Sequence, residues 1–367
     1  MSEWRQENIY NSFNCEMKGL LYSPWYKAIA NGKFLPPIEA SIDMMPMCNL
    51  SCDACNAGRY IYNNTDKGIM SKDYVEKLIR FLGNFKVKSC CFGGGGESTL
   101  NKATPYAIRL CREVGMDAAI ITNGTVLNDD LLDAFMKCRF ISVAVDAGNA
   151  VTYEKHKGQN MFDRVMSNLY RIAEEIRKTK VNCDLCYKFL ITEWNQHEIL
   201  KACLEAKRIG VKDFYVRPAN YDHQGIREEV KRKYHYDIPA IEEQFRQCKE
   251  LETPEFRVFT VTHKYNEDYT PKKDFSQCYG APVCIQICAD GFVYFCVDTR
   301  HIEFYKLGSH YPDPENILNF WGGERHKELV FKTGKDNCTS RCTYGPYCAQ
   351  CEALFINKND PMCWSFT

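Results

Sequence analysis

The sequence predicts an α/β protein whose central region repeats a strand–helix unit six times, followed by a cysteine-rich C-terminal part. Short strand-like runs recur between residues 38 and 220, and amphipathic helical patterns lie between them. Such repeated units imply parallel strands that are joined by right-handed crossovers. Cysteine supplies 21 of the 367 residues, and many of these lie near the end of the chain.

The composition favours a cytoplasmic protein. Forty-seven Lys and Arg residues balance 47 Asp and Glu residues, which argues against nucleic acid as a partner. The first residues are polar and lack the apolar core of a signal peptide, and no apolar run approaches the roughly 20 residues that span a membrane. In a reducing compartment, clustered cysteines bind metal more often than they form disulfides.

Six strands are predicted in the central region. They are Ile38–Asp43, Ser89–Phe92, Ala118–Thr122, Ile141–Asp146, Asn182–Ile191 and Phe214–Arg217. The clearest amphipathic helix begins near Phe162, and Asn195 is predicted to cap the amino end of another. Gly115 and Gly210 follow helical stretches and are predicted to end them.

Four segments follow from this pattern. Residues 1–37 are expected to be a helical lead-in that packs on the next domain, and residues 38–222 form the strand–helix domain. Residues 223–270 are a bridging segment with a helix around Ile238–Leu251 and an extended piece at Phe256–Thr262. Residues 271–367 form the cysteine-rich domain.

Three cysteines stand just past the first predicted strand. Cys48, Cys52 and Cys55 have the spacing C-x3-C-x2-C. A [4Fe–4S] cluster normally takes four cysteines, so a loop that supplies three leaves one iron open. A structural zinc site needs a fourth ligand, and the nearest histidine, His156, lies about 100 residues away. Zinc, a disulfide pair and chance spacing in a cysteine-rich chain remain as the alternative interpretations.

The loop resembles the cluster motif of radical S-adenosylmethionine (SAM) enzymes. This resemblance implies a partial (β/α)6, TIM-like barrel in which SAM chelates the open iron and is reductively cleaved to a 5′-deoxyadenosyl radical. One departure is Ala54, where the family usually has an aromatic residue. Any adenine contact of that aromatic residue must come from elsewhere in the chain, and Tyr60 is a candidate.

A glycine run, Gly93 to Gly96, follows the second predicted strand and precedes a glutamate. Glycine lets the backbone approach a ligand, but the Lys-Ser/Thr that would complete a phosphate loop is absent. Beside the cysteine loop, the run resembles the family's Gly-Gly-Glu motif. The resemblance implies that Gly95, Gly96 and Glu97 bind the amino group of SAM.

Polar residues also follow the third, fourth and sixth predicted strands, where ligands of α/β sheets bind. Asn123 and Asp146 stand where relatives contact the ribose or the methionine part of SAM, although turn-forming residues are common at strand ends. Arg217 is a candidate partner for a carboxylate of SAM or of the substrate, with a surface salt bridge as the alternative.

The C-terminal region holds nine further cysteines, and eight of them are enough for two fully ligated [4Fe–4S] clusters. Their pattern resembles the SPASM domain of radical SAM maturases, although the run C-x3-C-x5-C-x2-C departs from the commoner C-x2-C-x5-C-x3-C. The resemblance implies a nearer auxiliary cluster on Cys278, Cys284, Cys296 and Cys351, and a farther one on Cys338, Cys342, Cys348 and Cys363. Zinc knuckles are the alternative.

Three remaining cysteines are candidate hydrogen donors to a substrate radical. Cys183 and Cys186 fall on the fifth predicted strand, where alternation allows at most one of them to point into the barrel. Cys288 lies between the predicted ligands. Packing is the alternative role for all three.

The resemblance implies an oxidoreductase or maturase that takes an electron from a flavodoxin- or ferredoxin-like donor and works in an anaerobic setting. A peptide or protein substrate, which would be oxidised, crosslinked or epimerised, is favoured slightly over a sugar or aminocyclitol. A non-catalytic iron–sulfur electron carrier is the alternative from a different class.

Overall fold

A computed structural model of the chain describes residues 17–63, 68, 70–230, 235–338 and 341–356. It has an α/β fold built on one sheet of ten strands. The strands are β1 Glu39–Ile42, β2 Ser89–Phe92, β3 Asp117–Thr122, β4 Cys138–Ala144, β5 Asp184–Ile191, β6 Asp213–Pro218, β7 Arg257–Thr260, β8 Cys284–Ile287, β9 Phe292–Tyr294 and β10 Lys306–Ser309.

The strands follow the order β10-β9-β8-β1-β2-β3-β4-β5-β6-β7, so the sheet has two edges and does not close on itself. Strands β1 to β7 run parallel to their neighbours, and β8 also runs parallel to β1. Strand β9 pairs in the antiparallel sense with β8 on one side and with β10 on the other. The predicted α/β class with parallel strands is confirmed.

Helices connect the strands because parallel neighbours need long crossovers. The α-helices are α1 Ser23–Ala30, α2 Gly58–Asn63, α3 Lys72–Asn84, α4 Thr104–Glu113, α5 Asp129–Phe135, α6 Ala150–Lys157, α7 Phe162–Thr179, α8 Ile199–Ile209, α9 Ile238–Glu250, α10 Ile317–Phe320, α11 Glu324–Lys332 and α12 Gly345–Cys351. Short 3-10 helices lie at Met17–Tyr22, Ser98–Leu100, Glu228–Val230, Ala281–Val283, Glu303–Tyr305 and Pro314–Asn316, and a π-helix lies at Glu352–Ile356. Among the described residues, none of these helices has the length and apolarity of a membrane span.

The two faces of the sheet have different surroundings because side chains alternate along each strand. Tyr187 and Phe189 of β5 belong to the main core, together with apolar residues of α7 and α8. Cys186 of the same strand packs instead with Tyr215 and Phe259 in a small separate cluster. We call this second face, opposite the helices, the inner face.

The prediction that Asn195 caps a helix is wrong. Helix α8 begins only at Ile199, and Asn195 is fully buried in the loop before it. Its Oδ1 accepts from the Thr192 N–H at 2.7 Å, while its Nδ2 donates to the carbonyls of Asp146 at 2.7 Å and Leu190 at 2.8 Å. Asn195 therefore ties the loop after β5 to the end of β4. The prediction for Gly210 is confirmed, since it ends α8 with φ +87°.

A seventh parallel strand extends the sheet beyond the six that were predicted. Strand β7 pairs with β6, and α9 spans the crossover between them. Arg257 of β7 binds Asp213 of β6 at 2.6 Å and Asp184 of β5 at 2.9 Å. This buried ion-pair network holds the amino ends of three adjacent strands together, and part of the predicted bridging segment is therefore integral to the sheet.

The C-terminal region continues the same sheet. Strand β8 lies beside β1 in the register Glu39 to Cys284. The lead-in also contacts the C-terminal region: the Tyr26 hydroxyl donates to Gln350 Oε1 at 3.1 Å, and Trp321 Nε1 donates to the Leu35 carbonyl at 2.9 Å. The described part of the lead-in therefore contacts the C-terminal region, and its Tyr26 and Ile29 also belong to the main core.

Candidate functional site

The cysteine loop leaves the carboxyl end of β1 and is held against α6. The N–H of Ser51 donates to the Lys157 carbonyl at 3.0 Å, and the N–H of Asp53 donates to the His156 carbonyl at 3.2 Å. Gly158 follows α6 with φ +72°, and a Cβ there would lie 2.1 Å from Ser51 Oγ. The loop therefore depends on a glycine for its close approach to the end of this helix.

The thiols of the loop lie near enough to one another for their charges to interact. Burial raises the pKa of Cys48 to about 11 and that of Cys52 to about 12, and in each case a neighbouring thiol of the loop adds to the rise. Cys48 Sγ also accepts from the Leu50 N–H at 3.5 Å and from Asn123 Nδ2 at 3.8 Å. Thiols that resist ionisation alone become thiolates when they bind a metal, so this donor set fits a metal cluster.

The glycine run packs directly on the start of the cysteine loop. A Cβ on Gly95 would lie 2.2 Å from Asp43 Oδ2, and a Cβ on Gly96 would lie 2.2 Å from the Met45 carbonyl oxygen. The N–H of Glu97 donates to the Met47 carbonyl at 2.8 Å. Side chains at these two glycines would therefore push the cysteine loop away from β2.

Glu97 bridges the ends of β2 and β3. Its carboxylate is buried, and its Oε1 accepts from Thr99 Oγ1 at 2.7 Å and Thr122 Oγ1 at 2.6 Å. Its Oε2 accepts from the Asn123 N–H at 2.7 Å. An ionised carboxylate has about four lone-pair sites, so Oε2 keeps acceptor capacity for a further donor.

Asn123 contacts the cysteine loop. Its Nδ2 donates to Asn49 Oδ1 at 2.9 Å, and its Oδ1 accepts from the Thr125 N–H at 3.0 Å. Together with its contact to Cys48, these bonds place Asn123 between β3 and the loop. It is more than a turn-forming residue, because it connects two parts of the candidate site.

Asp146 carries a buried charge network. It adopts φ +57°, its Oδ1 accepts from the Leu190 N–H at 2.7 Å, and its Oδ2 forms an ion pair with the ammonium of Lys157. Burial alone would raise the pKa of Asp146, but the charges of Lys157 and His156 lower it below its ordinary value. His156 Nδ1 also lies 2.5 Å from Asp53 Oδ1, so the network reaches the cysteine loop.

Lys157 and His156 belong to this site, although no motif in the sequence indicated them. Lys157 is buried, and its charge opposes the rise in the pKa of Cys52. The signal in the sequence was weak, since the run Lys155-His156-Lys157 resembles the basic last turn of many helices. Only the fold brings that turn under the loop.

Arg217 is buried at the end of β6. Its Nη1 donates to the Pro218 carbonyl at 2.9 Å and to the Tyr265 hydroxyl at 3.3 Å. Within the described part of the chain Arg217 forms no ion pair, so the alternative of a surface salt bridge is wrong.

Tyr60 lies against the C-terminal region. Its ring stacks on that of His301, with ring centroids 3.3 Å apart and an interplanar angle of 2°. His301 Nε2 lies 3.4 Å from Asp43 Oδ2, and the guanidinium of Arg300 lies 3.5 Å from Asp43 Oδ1. The candidate adenine contact is therefore part of a polar cluster at the ends of β1 and β8.

The three candidate hydrogen donors fall in different places. Cys186 lies on the inner face, and Cys288 is buried after β8 with its thiol 3.3 Å from Asp43 Oδ2. Cys183 belongs to the helix-covered core, so it does not present a thiol to the inner face. Strand alternation allowed one of Cys183 and Cys186 to face inward, and the structure selects Cys186.

The C-terminal cysteines gather in part. Cys278, Cys296, Cys338 and Cys342 line one cavity, and Cys348 hydrogen-bonds to Cys278 and Cys342. This group includes members of both predicted ligand sets. A pocket surrounded by thiols has the donor chemistry that an iron–sulfur cluster requires, so the group fits such a cluster.

Three predicted ligands lie outside this group. Cys284 Sγ lies 3.7 Å from the Ile285 carbonyl, and Cys351 Sγ lies 3.9 Å from the carbonyl of Tyr26 in the lead-in. Cys363 falls outside the described residues. The spacing of the cysteines alone did not indicate that the lead-in would meet the face on which Cys351 lies.

Sequence comparison places a known domain on this site. Residues 42–189 match the family model described as the Radical SAM superfamily. The Fe-coproporphyrin III synthase of Methanosarcina barkeri is 29% identical over 136 residues, which cover 36% of this chain and 33% of that protein. A probable GTP 3′,8-cyclase of Pyrococcus horikoshii is 24% identical over 150 residues, which cover 40% of this chain and 46% of that protein. The matches thus span about a third to a half of these relatives' own lengths.

Solved structures share the fold over more of the chain. SuiB of Streptococcus suis, bound to the precursor peptide SuiA, has a TM-score of 0.65 at 15% identity and covers 95% of this chain and 79% of its own. The protein anSMEcpe with bound AdoMet has a TM-score of 0.58 at 18% identity, and the match covers 87% of this chain and 92% of that protein. At these identities the likeness is one of fold.

Proposed function

Because residues 42–189 are a radical SAM domain, we propose that the chain reductively cleaves SAM and uses the resulting 5′-deoxyadenosyl radical to abstract a carbon-bound hydrogen. The substrate in this proposal is a peptide or protein that is oxidised, crosslinked or epimerised. One observation carries the proposal: three neighbouring thiols lie on a loop that α6, the glycine run and Asn123 hold in place.

Cys48, Cys52 and Cys55 would hold a [4Fe–4S] cluster, and that cluster would supply the electron for the cleavage of SAM when bound. Asn123 and the Leu50 N–H donate to Cys48, which stabilises negative charge on its sulfur. Lys157 does the same for Cys52 through its buried positive charge. These groups therefore favour the thiolate form that iron requires.

The candidate SAM contacts surround the loop at the carboxyl ends of the strands. Gly95 and Gly96 allow a close backbone approach, and Glu97 keeps acceptor capacity for the SAM amino group. Asn123 and Asp146 would orient the rest of the cofactor, and the buried guanidinium of Arg217 is available to a carboxylate. These roles of the six residues are part of the proposal.

We also propose two auxiliary [4Fe–4S] clusters in the C-terminal region. Five thiols gather there among the described residues, which is one more than a single fully ligated cubane takes. The surplus supports the two sets predicted from spacing, with Cys363 completing the farther one. Such clusters would carry electrons between the substrate and a flavodoxin- or ferredoxin-like partner.

The peptide substrate is supported by the solved structures of similar fold. SuiB is described with its precursor peptide SuiA, and anSMEcpe with AdoMet and the Cp18Cys peptide. The second candidate is a sugar, an aminocyclitol or a similar small molecule. The curated relatives support a small molecule in general, since one is named for a porphyrin and another for GTP.

The test is the formation of 5′-deoxyadenosine. The reconstituted holoenzyme is reduced with dithionite without oxygen, SAM is added, and the nucleoside is measured by mass spectrometry. We expect 5′-deoxyadenosine from the wild type and none from Cys48→Ala, Cys52→Ala or Cys55→Ala. Cys203→Ala, a buried thiol on the helix-covered side, is the matched control and should retain activity. A wild type that forms no 5′-deoxyadenosine would favour the electron-carrier alternative.

A further inference from the structure

Two cations lie on the inner face of the neighbouring strands β5 and β6, in diagonal positions of the strand register. Lys188 lies opposite Tyr215 in the strand register, and Leu190 lies opposite Arg217. Because alternate residues share a face, Lys188 and Arg217 lie on the same face as Cys186. A third cation, Arg341, precedes α12, and its charge acts on Lys188.

Arg217 is buried, and Lys188 and Arg341 are half-buried. Three other cations of this region each have a carboxylate partner in the described chain: Lys157 binds Asp146, Arg257 binds Asp184 and Asp213, and Arg300 binds Asp43. No described carboxylate forms an ion pair with Lys188, Arg217 or Arg341. A buried charge without a partner is costly, so such a group indicates that a partner is missing.

The nearest carboxylates are already engaged. Asp146 opposes the positive charges around Lys188, but it is the ion-pair partner of Lys157. Asp298 is the carboxylate whose charge acts most strongly on Arg341, and its Oδ2 accepts from Thr343 N at 3.1 Å and Thr343 Oγ1 at 2.8 Å. The carboxylates near the three cations therefore do not balance their positive charge.

Two further observations indicate that these cations are arranged to bind an anion. Arg217 is only 7% exposed, and its Nε has no hydrogen-bond partner. Burial lowers the pKa of Lys188 to about 8, and the positive charges of Arg217 and Arg341 contribute to this shift. Mutual repulsion of this kind is relieved when an anion binds between the charges.

We propose that Lys188, Arg217 and Arg341 form a subsite for an anionic group of the substrate, either a carboxylate or a phosphate. The proposal rests on the proposed function and names the chemistry of its substrate. The Asp146 N–H donates to the Lys188 carbonyl at 3.2 Å, and Asp146 pairs with Lys157, which contacts the cysteine loop, so a bound anion would hold a substrate beside the SAM site. An acidic peptide and a phosphorylated small molecule both supply such a group.

The test measures anion binding to the reconstituted holoenzyme by calorimetry at constant ionic strength, with inorganic phosphate and succinate as separate probes. We expect one saturable site per chain for the probe that matches the substrate, and a loss of about tenfold or more in affinity in Lys188→Gln and in Arg341→Gln. Arg246→Gln removes an exposed cation on α9 and should bind like the wild type.

A second readout is the pH dependence of binding. The charged groups that act on Lys188 are Arg217, Arg341, Asp146 and Lys157. Lys188 loses its proton as the pH rises through about 8, so affinity for the anion should fall across that range. In Lys188→Gln this pH dependence should be absent.

Several outcomes would overturn the proposal. These are the absence of saturable binding for both probes, equal weakening in Arg246→Gln, and a loss of SAM affinity in Lys188→Gln without any change in anion affinity. The last result would mean that the cations serve the cofactor. If 5′-deoxyadenosine forms but no anion binds, the subsite is wrong and the proposed function stands. If an anion binds but no nucleoside forms, the subsite stands and the proposed function is wrong.

Discussion

Asp146 shows how a single residue at a strand end determines the shape of the site. Its left-handed backbone turns the chain out of β4, and its carboxylate accepts from both Lys157 and the Leu190 N–H. The sequence indicated the position of Asp146 because a carboxylate follows a strand there. Its partner lies 11 residues later at the end of a helix, and no periodicity in the sequence pairs the two.

Replacing Asp146 with alanine leaves the ammonium of Lys157 buried without its partner. We expect the free energy of unfolding of Asp146→Ala to fall by about 3 to 5 kcal/mol, since breaking one side of a buried pair exposes an uncompensated charge. Denaturant unfolding followed by circular dichroism measures the change. Glu243→Ala removes an exposed partner of Arg246 and should change stability little. Equal losses in the two variants would contradict a special role for the buried pair.

At the scale of the element, strand periodicity predicted the fold well. Strand β2 has its predicted bounds, and the other five predicted strands differ by at most three residues at either end. The extended piece at Phe256–Thr262 contains β7, but its place beside β6 depends on Arg257 and on the carboxylates that it meets from other strands. Long-range pairs of this kind are not visible in a local pattern.

The contact of α6 with the cysteine loop leads to a prediction for Gly158. In Gly158→Ala the new methyl group would meet Ser51, and the positive φ would be strained. We expect a loss of about 1 to 2 kcal/mol from backbone strain, together with a lower yield of 5′-deoxyadenosine because the loop is displaced. The readouts are denaturant unfolding and the nucleoside assay.

Gly115→Ala is the matched control for this prediction. Gly115 also follows a helix with a positive φ of +82°, but nothing lies within 4 Å of the added Cβ. It should lose similar stability and keep the full yield of nucleoside. Equal yields from Gly158→Ala and Gly115→Ala would show that the loop does not depend on its contact with α6.

At the scale of the whole molecule, the C-terminal cysteines are where the sequence was least informative. Spacing predicts two sets of four, whereas the structure gathers Cys278 and Cys348 from different sets. Which cysteines share a cluster depends on how α12 packs against the lead-in and on the segment before β8. The spacing of cysteines along the sequence does not contain that information.

Iron content tests the partition. On the proposed sets the wild type carries about 12 iron atoms per chain, and the double variant Cys278→Ala, Cys348→Ala should lose about eight because it removes one ligand from each auxiliary cluster. Cys278→Ala, Cys296→Ala is the control and should lose about four. If both double variants lose about four, Cys278 and Cys348 share one cluster, as their contact in the structure would suggest.

The hydrogen-bonded alignment of β8 with β1 bears on how this chain can be dissected experimentally. A truncation before residue 284 would uncover the unpaired backbone groups of the very strand from which the cysteine loop departs. Exposed edges of that kind invite other chains to pair with them. A truncated chain would thus be prone to aggregate for reasons unrelated to its metal content. Substitution of single cysteines is therefore the better way to test the C-terminal region.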